Sequence, residues 1–110
     1  MAEIIQMPDN PISRADKQAL ESFGAHSIAL GRATRFHWGN GRHGDDVFEI
    51  YHGGPFEKLA VRINRDREHD MFCARDANGQ TLVSGTLDHV LAHLEEYFSD
   101  LHDAHLPPFG

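Results

Sequence analysis

Nine histidines, at positions 26, 37, 43, 52, 69, 89, 93, 102 and 105, are an unusual load for a chain of 110 residues. Histidine is the side chain that changes charge near neutrality and the commonest metal ligand. His89 and His93 are four apart in a segment patterned as a helix, so both project from one face. Together they form a candidate surface site for Zn or Ni, and Glu96 and Asp100 continue the same stripe. The competing reading is a solvated polar face opposite an apolar one. Position 90 is Val, so the helical zinc-protease signature with Glu after the first His is absent. A closed zinc site would want further ligands, and Cys73 is the only thiol.

Other short patterns carry less. Gly39-Asn40-Gly41-Arg42-His43-Gly44 has the glycine spacing of a phosphate-cradling loop. That mechanism needs a helix N-terminus next, but Asp45-Asp46-Val47-Phe48 follows and reads as a strand. His43, Asp45 and Asp46 are a possible ligand set for a divalent cation, although neighbours at a strand start point to opposite faces. The His69-Asp70 and His102-Asp103 pairs match metal phosphohydrolases by two letters only. His52-Gly53-Gly54-Pro55 lacks a partner nucleophile motif. Cys73 alternates with Met71 and reads as a small buried hydrophobe.

Arg62, Arg65, Arg67 and Arg75, with Arg32 and Arg35, could align as a basic face beside His37 and Trp38, suited to an anion or RNA. Cross-strand pairing with Glu57, Asp66, Glu68 and Asp70 would cancel that charge.

The elements that must position these residues follow from periodicity. Residues 1–12, with Pro8 and Pro11, read as a flexible tail. Ser13 caps a short helix with Asp16 three residues on, and Gly24 fits its end. Alternation then predicts a strand from Ile28 to Trp38 and a second from Val47 to His52. A third runs from Lys58 to Arg65, with Leu59, Val61 and Ile63 inward. Strands at Met71–Arg75 and Gln80–Ser84 flank Asn78-Gly79, a type I′ turn signal. After Thr86, apolar residues at 87, 90, 91, 94, 97, 98 and 101 mark an amphipathic helix over 86–102. Residues 103–110 read as an extended tail. The expected fold is α+β: helix, antiparallel meander of four to five strands, and a helix packed on one sheet face.

Composition bounds function. One domain of 13–102 accounts for the chain, and hydrophobic and charged fractions of 40% and 25% suit a folded domain. The formal charge is −7, and no Lys or Arg lies beyond Arg75. No direct nucleic-acid binding is expected of so acidic a chain. The opening residues MAEIIQMPDN do not read as a secretory signal, no apolar run is long enough for a membrane span and a single cysteine allows no internal disulfide, so a cytoplasmic location is expected. The function expected is a non-enzymatic binding or regulatory domain without a cofactor. Its acidic C-terminal helix, at Glu95, Glu96, Asp100 and Asp103, would meet a basic protein partner. The alternative is a metal-binding protein or small metal-dependent enzyme built on the histidines.

Overall fold

Ser13 begins the first helix. Its hydroxyl accepts the Asp16 amide at 3.1 Å, satisfying one of the N–H groups a helix start leaves without a partner. The structure, a computed structural model, describes residues 12–41, 45–66 and 69–104. Helix α1 (Arg14–Ala29) does not end at Gly24. It continues to a C-cap at Leu30, and Gly31, at φ +76°, takes the left-handed position that glycine tolerates. The strand expected from Ile28 is therefore corrected: the Ile28–Leu30 alternation lies in the last helical turn. Gly24 has a different use. A Cβ there would sit 2.7 Å from Phe36 Cδ2 and 3.0 Å from Phe48 Cζ. The missing side chain lets the helix settle onto those rings.

The strands are β1 (Arg35–Asn40), β2 (Asp46–His52), β3 (Lys58–Asp66), β4 (Met71–Asp76) and β5 (Thr81–Gly85). They form one antiparallel sheet in the order β1-β2-β3-β4-β5. Side chains alternate across it. Trp38, Phe48, Ile63, Ala74 and Val83 are register partners in one row under the helices, and Phe36, Ile50 and Val61 form another. The opposite face carries the row His37, Glu49, Arg62, Arg75 and Thr81.

Ala74 pairs with Val83 but Arg75 pairs with Thr81, so Leu82 is an extra residue on β5, and two further local features depart from simple pairing. Ile50 pairs with Val61 but Tyr51 pairs with Leu59, so Ala60 is an extra residue on β3. This bulge removes Leu59 from the inward set, while Val61 and Ile63 are fully buried as expected. The β4–β5 connection is not a type I′ turn, because Asn78 does not have positive φ. Asp76 carbonyl accepts from Gly79 N, and Gly79 (φ +83°) alone is left-handed. The Asp76 carboxylate takes the Asn78 and Gln80 amides, both at 2.9 Å, which favours this longer loop.

Helix α2 (Leu87–Ala104) is capped by Thr86, whose Oγ1 accepts His89 N at 3.2 Å. Leu87, Val90, Leu94 and Phe98 are buried on one stripe, each stabilising the fold by about 1.5–3 kcal/mol. This helix covers β4 and β5, and α1 lies against β1. Phe23 and Phe98 bring the helices together at a ring separation of 6.2 Å. Ile12, expected in the N-terminal tail, is 6% exposed and belongs to the core. The rest of that tail and residues 105–110 lie outside the described residues. No described helix is long and apolar enough to cross a membrane.

Candidate functional site

With both helices on one side, no described element covers the other face of the sheet. Its centre is Glu49 on β2, set between Phe48 and Ile50 and only 7% exposed. A buried carboxylate is costly unless paired and hydrogen-bonded, and this one is. Arg62 on the next strand donates from Nε and Nη2 to Oε2, at 3.1 and 2.9 Å. Tyr51 donates its hydroxyl to Oε1 at 3.2 Å. His37, on the other neighbouring strand, lies with Nδ1 3.1 Å from Oε1. A carboxylate only accepts, so Nδ1 carries the proton. Burial pushes Glu49 toward the neutral form, but the Arg62 and His37 hydrogen bonds, the Arg62 charge and Tyr51 together outweigh it. Its pKa lies below the ordinary carboxylate value. Gly39 makes room for the arrangement, since a Cβ there would be 3.3 Å from Glu49 Oε1.

Around this centre the face is tied down by further pairs. Arg35 stacks 4.0 Å over the Tyr51 ring and donates to Glu57 at 2.5 Å. Hydrogen bonds from Arg35 and from Thr34 hold Glu57 below its ordinary pKa, and the same contact with Glu57 raises that of Arg35. On β4, Arg75 stands opposite Arg62 and donates Nη1 to Asn64 Oδ1 at 3.1 Å. Among the described residues Arg75 forms no ion pair. A groove of about 660 Å³ crosses this face from the β1–β2 loop to the β4–β5 turn. Val47, Leu59, Arg62, Asn64 and Arg75 line it.

Only part of the expected basic face gathers here. Arg32 lies on the other layer, donating to Glu95 at 2.6 Å. Arg65 pairs with Asp70 over the Phe72 ring, and Arg67 lies outside the described residues. Trp38 faces the helices: Nε1 donates to Glu21 at 2.7 Å, and Lys17 lies over its ring. It is therefore no stacking platform on the open side.

The residues singled out on α2 fare differently. Glu95 is engaged by Arg32, while Glu96 and Asp100 are exposed. Asp103 falls within the helix, but its side chain lies outside the described residues. His89 and His93 are exposed, and the His89 ring lies 3.0 Å from where a Gly85 Cβ would be. Among the described residues no three His, Cys, Asp or Glu side chains are grouped to hold a metal. The glycine-rich loop is followed by β2 rather than a helix. Cys73 is 4% exposed, its sulfur 4.0 Å from Thr81 Oγ1.

Glu49 was not among the candidates read from sequence, although a signal for it exists. An acidic residue inside Val-Phe-Glu-Ile-Tyr, an otherwise apolar strand, must find cationic or donor partners across the sheet. The register that supplies Arg62 and His37 was not available from one strand's pattern. Chemically, a histidine oriented by a carboxylate is competent as a general base. His37 is not among the residues lining the groove. Comparison with protein-family models, curated proteins and solved structures finds no match to this chain.

Proposed function

We propose that the protein is a non-enzymatic binding domain whose ligand surface is the sheet face that no described element covers. The observation that carries this is the groove floored by Arg62, Asn64 and Arg75, with Arg62 locked in place by Glu49. Its volume suits a small organic ligand. Side chains fixed before binding lose less entropy when a ligand arrives, which favours recognition. Among the described residues the oriented His–carboxylate pairs, His37–Glu49 and His69–Asp66, both lie outside the lining, which favours binding over catalysis.

A second proposal keeps α2 as a contact for a basic protein. Asp88, Glu96 and Asp100 are exposed on it, and no Lys or Arg follows Arg75 to oppose them. The two separate by amide NMR on the full chain, titrated with a phosphate ester, a carboxylate, a neutral sugar, an amine and a lysine-rich peptide. Saturable shifts at Val47, Leu59, Asn64 and Arg75 with at least one small molecule are expected. Shifts confined to α2 with the lysine-rich peptide would move the function there, and no saturable shift on the sheet face would overturn the main proposal.

A further inference from the structure

The geometry points to a phosphoryl-binding subsite between Arg62 and Arg75, so that the groove takes a small phosphorylated organic molecule. The inference rests on the proposal that the open sheet face is the ligand surface. Arg62 and Arg75 are direct register partners on β3 and β4. Like charges directly opposite on neighbouring strands repel, and the protein compensates them unequally. Arg62 is held by Glu49, whereas Arg75 has only the amide oxygen of Asn64 among the described residues. A guanidinium presents five N–H donors. The contacts to Glu49 and Asn64 use the smaller share, so most of both forks is left to a ligand.

Two forks on adjacent strands, about 4.8 Å apart at the backbone, can grip different edges of a tetrahedral group. A planar carboxylate is satisfied by one fork, whereas a phosphoryl group offers three acceptor oxygens and up to two negative charges. Val47 and Leu59 line the same groove and supply apolar wall for a carbon skeleton. The carboxylates nearby are accounted for in part. Glu49 does not line the groove and spends both oxygens on Arg62, His37 and Tyr51. Asp76, at one end, accepts two backbone amides of the β4–β5 turn. Asp45 lies at the other end.

The probe is inorganic phosphate, titrated into the full chain with acetate at matched ionic strength as the second arm. Arginine Nε–H resonances and calorimetry give the readout. Phosphate should saturate with shifts at Arg62 and Arg75, and acetate should bind about tenfold more weakly or worse. Arg75→Gln should weaken phosphate by about tenfold or more. Arg75→Lys keeps the charge without the fork and should fall between. Arg35→Gln, on the same face but outside the groove, should bind like the parent. Equal, unsaturable responses to both anions, or equal loss in Arg35→Gln, would overturn the phosphoryl subsite. A neutral sugar shifting Val47 and Leu59 while phosphate does nothing would overturn it and leave the sheet-face proposal standing. If neither probe touches the face, both fall.

Discussion

A carboxylate in the middle of an apolar strand either finds charge partners or takes up a proton. Glu49 finds Arg62, His37 and Tyr51, and its pKa in the fold is lowered. A lowered folded pKa contributes stability that is fully present above the unfolded value of about 4.3 and is lost as pH falls through the folded one. Glu57, held by Arg35 and Thr34, acts in the same direction. Urea midpoints should therefore fall as pH drops from about 5 toward 3. Glu49→Gln should flatten part of that fall and cost about 1–3 kcal/mol at pH 7, since it leaves Arg62 without its carboxylate. An acid slope unchanged by the substitution would show that the network does not depend on the Glu49 charge. Gly24 gives a second test at this scale. Alanine there improves helix propensity by about 1 kcal/mol, but its Cβ would press on Phe36 at 2.7 Å. Overpacking of that kind costs about 1–3 kcal/mol, so Gly24→Ala should destabilise, as read by chemical denaturation.

Among the elements, α2 was the most legible in sequence, because an apolar residue recurs on every turn from Leu87 to Phe98 and one packed face explains all of them. Leu94 is fully buried, and Leu94→Ala should lower the unfolding free energy by about 2–5 kcal/mol. A loss below about 0.5 kcal/mol would mean that the helix does not cover the core. Thr86→Ala removes the cap on His89 N and should cost about 1 kcal/mol. The end of α1 differs from its sequence expectation for a physical reason. Gly24 has the chemistry of a helix stop, but glycine also permits close approach, and only the rings of Phe36 and Phe48 distinguish the two. Leu59 was misplaced because a bulge flips the alternation at Ala60, and a bulge leaves no trace in a single strand's pattern. The same limit hid Glu49 and its pairing, although Arg62, Arg75 and His37 are legible in sequence as parts of a basic face. His37, Glu49, Arg62 and Arg75 are 12 to 13 residues apart along the chain and meet only through register.

For the molecule as a whole, an acidic chain folds so that its helices share one side of the sheet, while the side that no described element covers keeps Arg62 and Arg75 together, with Arg35 outside the groove on Glu57. Net charge therefore says little about the local field in the groove, and the acidic outer side of α2 and the arginine-bearing sheet face are separate candidate surfaces. Paired charge reversals decide between them. Whichever of the five probes binds the parent most tightly should be measured against Arg75→Glu and against Glu96→Lys, with thermal melts to confirm that both variants fold. The sheet-face account predicts that Arg75→Glu weakens binding by about tenfold or more while Glu96→Lys stays within about twofold. Full binding by Arg75→Glu, with the loss appearing in Glu96→Lys, would contradict it.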